Sequence, residues 1–224
     1  MKHMRSLWVG LLVMAFLVPM QAQAESEEAR ELKRYVEENT LKLVEKLESI
    51  QAGYEQDREA FYNQMDEALE DFVAFRRIAA RVMGRYAREA TPEQRNEFVR
   101  QFKRSLYDAY GGAIIDTGDF ELRVRSAEIN PRDENRATVN LQVITEGGNR
   151  YGVAYSMYRP EGGNWKLENI IVEGINIGLA FRDRFQQDME EHRNDVQKVI
   201  DNWTANVGDL EGLDEAVESP SGEQ

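Results

Sequence analysis

Hydrophobic positions along the chain change period twice, and the changes divide it. Residues 26 to about 110 follow helical spacing: Leu32, Val36, Leu43, Leu47 and Ile50 recur at three-, four- and seven-residue steps with charges between them. A second stretch puts Leu69, Phe72, Phe75, Ile78, Ala79, Val82, Met83 and Tyr86 on one helical stripe. A third helix is predicted from Thr91-Pro92-Glu93-Gln94, which reads as a capping box with Pro at the first helical position. Its apolar face follows at four-residue steps as Phe98, Phe102, Leu106 and Tyr110, and Gly111-Gly112 is expected to end it.

From about 119 to 173 the period is two. Phe120, Leu122 and Val124 alternate with Glu121, Arg123 and Arg125. Ala137, Val139, Leu141 and Val143 alternate with Thr138, Asn140 and Gln142. Tyr151, Val153, Tyr155 and Met157 form a third run, and Trp165 to Val172 a fourth. Asn130-Pro131-Arg132-Asp133 and two Glu-Gly-Gly-Asn quartets make connections so short that the strands must be antiparallel. Helical spacing returns from about Ile177 to Asn202, with Phe181, Phe185, Met189, Val196, Val199, Ile200 and Trp203 as the apolar positions. The expected fold class is α+β, with helices packed on a four-stranded antiparallel sheet. Such layers can be filled or can hold a cavity between them, and periodicity does not decide which.

The two ends carry different signals. Lys2 and Arg5, the apolar run Leu7–Val18, Pro19 and Ala22-Gln23-Ala24 together read as a cleaved secretory signal peptide over 1–24. The apolar run is too short for a membrane anchor, which needs about 20 residues. The product is expected to be a soluble, exported protein, with a bacterial periplasm as its compartment. Residues 25–206 are expected to form a single domain, and 207–224, rich in Gly, Ser and acid, a disordered tail.

Composition then narrows the chemistry. The chain has 224 residues, Lys+Arg 28 against Asp+Glu 41, a formal charge of -13, no Cys and 2 His. No disulfide framework, thiolate nucleophile or Cys-ligated metal centre can form, and so acidic a chain is a poor partner for nucleic acid. After cleavage only His192 remains, in a heavily charged stretch that reads as a solvated helix face. No phosphate loop, triad or metal-ligand spacing is present. The residues therefore predict no enzyme, no catalytic residues, no metal and no cofactor.

Several segments, in order and spacing, resemble the MlaC-type periplasmic phospholipid-transport proteins, also called the toluene-tolerance family. They are Val82-Met83-Gly84-Arg85-Tyr86; Ala90-Thr91-Pro92-Glu93-Gln94-Arg95 with Phe98, Phe102, Leu106 and Tyr110; Trp165 to Ile175; Arg182 with Phe185; and Asp195 to Ile200. Asn169 stands where the family has Asp, and Ile175-Asn176 where it has Val-Ser. The resemblance implies a curved sheet and helices enclosing an apolar lipid cavity, with bound phospholipid as cargo. It also implies a shuttle between an outer-membrane lipoprotein–porin complex and an inner-membrane ABC transporter with an MCE-type subunit, maintaining outer-membrane lipid asymmetry. A monomer is expected.

Within that fold the lipid-binding residues are expected on the apolar sheet face: Val139, Leu141, Val143, Tyr151, Val153, Tyr155 and Met157. Opposite them are expected Met83, Phe98, Phe102, Leu106 and Tyr110, with Ile171, Ile175, Ile177 and Phe181 closing the end where strand gives way to helix. Ile175 is singled out because it follows Gly174 at an element junction. The acidic body is expected to gain little from ionic contacts with a headgroup. Two alternatives stand beside this one: a small periplasmic isomerase or hydrolase with carboxylates in an apolar cone, or a lipid-free adaptor binding a partner peptide.

Overall fold

The computed structural model describes residues 26–50, 54, 56–116 and 120–205, without the side chains of 47, 48 and 110–116. The expected signal peptide and acidic tail lie outside these residues. The elements are α1 (Glu27–Ile50), α2 (Arg58–Leu69), α3 (Phe75–Met83), α4 (Tyr86–Glu89), α5 (Pro92–Asp116), β1 (Phe120–Ile129), β2 (Arg136–Thr145), β3 (Arg150–Tyr158), β4 (Lys166–Val172), β5 (Ile175–Asn176), α6 (Ile177–Glu191) and α7 (Val196–Asp201). One antiparallel sheet of order β1-β2-β3-β4-β5 carries the helices, so the fold is α+β.

The sheet has five strands where four were expected. Glu173 and Gly174 both have positive φ, 47° and 83°, so a two-residue turn folds Ile175 back onto Val172. The pattern hid this strand because it is two residues long and runs directly into α6. In β2 the expected faces hold: Ala137, Val139 and Leu141 are buried against α1. In β1 the ladder shifts between Val124 and Ser126, so the buried positions change from Val124 to Ala127. The extra residue of a bulge reverses the alternation beyond it. A second shift, between Ser156 and Met157, pairs Met157 with Leu167 but Ser156 with Asn169, leaving Glu168 as the bulged residue.

The helices also depart from the expected continuous stripes. Leu69 to Tyr86 is not one helix. After α2 the chain extends, Leu167 donates its N–H to the Phe72 carbonyl at 2.7 Å, and Ala74 donates to the Leu167 carbonyl at 2.9 Å. A short parallel bridge, Val73 to Leu167, thus covers this part of the β4 edge. Gly84, at φ 56°, then breaks α3 from α4. The capping box forms as expected: the Thr91 N–H donates to Gln94 Oε1 at 3.0 Å, and the Gln94 N–H to Thr91 Oγ1 at 3.2 Å. Arg95 donates to the carbonyls of Ala87 and Ala90, tying α4 to the first turn of α5. Gly111-Gly112 does not end α5, which runs to Asp116; each glycine costs a helix about 1 kcal/mol but forbids nothing. The expected C-terminal helix is two, because Arg193 and Asn194 take positive φ and Asp195 recaps the chain at α7.

Three apolar clusters result. Phe98, Phe102, Phe181, Phe185 and Trp203 pack edge-on or tilted among the helices, with ring centroids 5.0–6.3 Å apart. α1 lies on the sheet through Leu32 and Val36. Ile50, Phe61, Met65, Leu69 and Tyr107 join α1, α2 and α5. Between helices and sheet sits Glu168, only 4% exposed, accepting from Arg77 Nε at 2.6 Å, Arg81 Nη2 at 3.1 Å and Arg136 Nη1 at 2.5 Å. Removing one member of a buried ion cluster leaves the others uncompensated. Glu168→Ala is expected to lower stability by about 2–3 kcal/mol, at or below the low end for buried pairs because the arginines reach solvent. Urea denaturation checks it, and an unchanged midpoint would show that the cluster contributes nothing.

Candidate functional site

The three clusters do not close on one another. Where they meet is a cavity of about 280 Å³, just under the roughly 300–1,000 Å³ of typical small-molecule sites. The helical cluster contributes Phe102 and Phe181, the sheet cluster Phe72 and Leu167, and the third cluster Met65, Leu69 and Tyr107. Leu43 of α1, Phe75 and Ile78 of α3, Leu106 of α5, Ile170 of β4 and Ile177 of α6 complete an almost wholly apolar wall. Among the described residues its lining includes no Asp, Glu, His, Lys or Arg.

Four side chains bring polar atoms to the wall, and they divide into two kinds. Tyr107 donates its hydroxyl to Asp66 Oδ1 at 2.8 Å, and burial together with that carboxylate pushes its phenol pKa up. Asn169 is tied on both sides: its Nδ2 donates to Asn176 Oδ1 at 3.0 Å, and its Oδ1 accepts the Gly178 N–H at 3.0 Å. An Asp there could accept from Gly178 but could not donate to Asn176, so Asn169 suits the Asn176 beside it. By contrast, the buried Thr40 Oγ1 has no hydrogen-bond partner among the described residues. For Tyr155, burial pushes the phenol up to about 12.

The structure brings five of the expected residues to this cavity: Phe102, Leu106, Tyr155, Ile177 and Phe181. Met83 and Phe98 are packed inside the helical cluster, and Val139, Leu141 and Met157 lie between α1 and the sheet. Val153 packs half-buried against that same sheet cluster. Val143 and Tyr151 pair with each other, half-buried, toward the β2–β3 turn. Ile171 pairs with Ala154 while its neighbour Ile170 pairs with Tyr155 and lines the cavity. Ile175 pairs with Val172 in the β4–β5 hairpin, half-buried. The side chain of Tyr110 lies outside the described residues.

A family model described as MlaC protein matches residues 37–205. The chain belongs to the MlaC family. It is 35% identical over 199 residues to the toluene tolerance protein ttg2D of Pseudomonas putida, covering 88% of this chain and 89% of that one. It is 22% identical over 165 residues to the intermembrane phospholipid transport system binding protein MlaC of Haemophilus influenzae, covering 73% and 75%. Its fold is similar to that of a phospholipid-binding protein from Ralstonia solanacearum solved in complex with a phospholipid. The TM-score is 0.65 at 19% identity, covering 75% of this chain and 92% of that structure.

In this MlaC-family chain the lining residues not singled out from the sequence had two kinds of signal. Leu43, Leu69, Phe72, Phe75 and Ile78 were legible as apolar periodic positions, though nothing marked them as facing a void. Met65, Thr40 and Tyr107 fall off the stripes that the pattern emphasised. Among the described residues no group of three or more His, Cys, Asp or Glu could hold a metal ion, and no helix is long and apolar enough to cross a membrane.

The Tyr155 phenol supplies a test of the lining. A raised folded-state pKa contributes stability that is fully present below the unfolded value near 10 and is lost as pH rises toward about 12. Tyr155→Phe should therefore escape about 2 kcal/mol of the stability that the unsubstituted chain loses between pH 10 and 12. Denaturation midpoints at pH 9 and pH 11.5 check this. Parallel losses in the two proteins would mean that the phenol is reached by bulk water.

Proposed function

We propose that this chain is a soluble periplasmic phospholipid carrier. It would shuttle lipid between an outer-membrane lipoprotein–porin complex and an inner-membrane ABC transporter carrying an MCE-type subunit, and so maintain outer-membrane lipid asymmetry. The cavity carries the reading: a space walled by side chains of three apolar clusters, with no acid or base among its described lining residues, suits an acyl chain. The names of its relatives, one a phospholipid transport binding protein, support the same direction. In this reading the acyl chains lie along Phe102, Leu106, Tyr155, Ile177 and Phe181, facing Met65, Leu69 and Ile170.

Physical chemistry explains why such a carrier is needed. Each buried methylene is worth about 0.8 kcal/mol, so two acyl chains of about 30 methylenes represent on the order of 24 kcal/mol. Free lipid in water is then far too scarce to carry flux between membranes. A protein cavity removes the part of that cost carried by the methylenes it encloses and so lowers the barrier to transfer between donor and acceptor. A carboxylate-dependent isomerase or hydrolase would need an acid in the lining, and the described lining residues include none.

Protein purified without detergent and extracted with organic solvent should yield glycerophospholipid at near-stoichiometric amounts by mass spectrometry. Ile170→Glu, which sets an unpaired charge against the chains, should lower that occupancy at least tenfold while far-ultraviolet circular dichroism stays unchanged. A lipid-free extract from the unsubstituted protein would contradict the carrier reading.

A further inference from the structure

The chain is acidic overall, yet residues 74–88 contain five arginines and no carboxylate. Three of the five, Arg81, Arg85 and Arg88, line a groove with Arg182 of α6, next to the cavity. Ile78, Asn169 and Gly178 line both spaces, so the groove begins where the apolar wall ends. Among its described lining residues the sole carboxylate is Glu168, which Arg77 and Arg136 already engage from outside the groove. Glu89 and Glu190 also act on Arg85, from outside the groove lining. The groove is therefore net cationic.

The arginines are not equally committed. Arg81 donates to Glu168 at 3.1 Å, and Arg85 donates to the Tyr86 hydroxyl at 2.7 Å while lying over its ring. Arg88 and Arg182 are exposed, and neither has a hydrogen bond or ion pair among the described residues. Local backbone brings the two sides together. Gly84 takes φ 56°, and a Cβ there would stand 3.5 Å from Arg182 Nε, so the α3–α4 break passes close beside that side chain. The start of α6 offers little to an anion, because Asn169 and Asn176 already accept from the Gly178 and Leu179 N–H groups. What remains is guanidinium, whose forked donors match a phosphate's oxygens.

We propose that this groove holds the phosphate of a phospholipid whose acyl chains occupy the cavity, with Arg88 and Arg182 as its principal ligands and Arg81 and Arg85 as the rim. The inference rests on the carrier reading and adds to it a polar anchor: the site grips the phosphate, which all glycerophospholipids share, and leaves the rest of the headgroup to solvent. One phosphate contact of this kind tolerates many headgroups while setting which way round the lipid sits.

Two probes of equal chain length separate the contributions: 1-myristoyl lysophosphatidic acid, which carries the phosphate, and 1-myristoylglycerol, which does not. Binding to delipidated mature protein is measured for both, with inorganic phosphate alone as a third arm. The unsubstituted protein should prefer the phosphate-bearing lipid about tenfold, and Arg88→Gln/Arg182→Gln should abolish that preference while binding of the monoacylglycerol is unchanged. Retained monoacylglycerol binding also shows that the variant is folded. Equal affinity for the two lipids, or a variant that keeps the preference, overturns the proposal and leaves the arginines to an acidic protein surface. Inorganic phosphate bound as tightly as the lipid would uncouple the groove from the cavity and overturn it too. If neither lipid binds the unsubstituted protein, the carrier reading itself fails.

Discussion

Two hydrogen bonds set the spacing on which the site depends: Leu167 N–H to Phe72, and Ala74 N–H to Leu167. They join the helical half to β4 at the sheet's interrupted edge. Next to them Glu168 draws Arg77 and Arg81 of α3 and Arg136 of β2 together. The seam ties the segment after α2, and α3 itself, to β4. Phe72, Val73 and Leu167 are wall residues rather than filler, and the space between the three clusters stays open. Side chains in a protein interior normally interdigitate to near-crystal density. The hydrogen bonds and ion pairs of the seam lie beside this void and join the elements that wall it.

The same seam orients the charge. Glu168 is turned inward and satisfied by arginines, so α3 faces the groove with guanidinium groups in an otherwise acidic molecule. Net charge governs how the molecule meets an anionic bilayer at a distance, whereas the few side chains at the cavity's rim set the charge found there. Charge averaged over the whole body does not register this local cluster, and the expectation of little gain from headgroup contacts rested on that average together with screening by solvent. The run of five arginines without a carboxylate was visible in the sequence. Its meaning needed the fold, which sets Arg182, almost a hundred residues later, beside it.

Most elements could be read from periodicity because each buries one face. The alternation in β2 from Ala137 to Leu141, the capping box at Thr91 and the apolar steps of α5 from Phe98 to Leu106 appear as read. Misreadings collect where one residue changes the phase. The bulge at Glu168 separates Leu167 from Ile170, and so Ile170, not Ile171, meets the cavity. The turn at Glu173-Gly174 makes a strand of Ile175 and Asn176. The cavity was harder still to read. Phe98 and Phe102 sit one turn apart on the same stripe, yet the first is wholly packed and the second lines the void. A pattern of apolar residues records that a face avoids water. Whether its partner is another side chain or a ligand depends on the distance between elements, which no local period encodes.

Residues 25–224 contain four methionines, Met65, Met83, Met157 and Met189, in three distinct surroundings. Met65 lines the cavity, Met83 and Met189 lie in the helical core, and Met157 lies between sheet and α1. Methyl-labelled, otherwise deuterated protein loaded with protonated phospholipid should show nuclear Overhauser contacts from acyl-chain protons to the Met65 methyl and none to that of Met189. Contacts at Met189 or Met157 without any at Met65, or no acyl contacts at all in loaded protein, would contradict the assignment of this cavity as the lipid site.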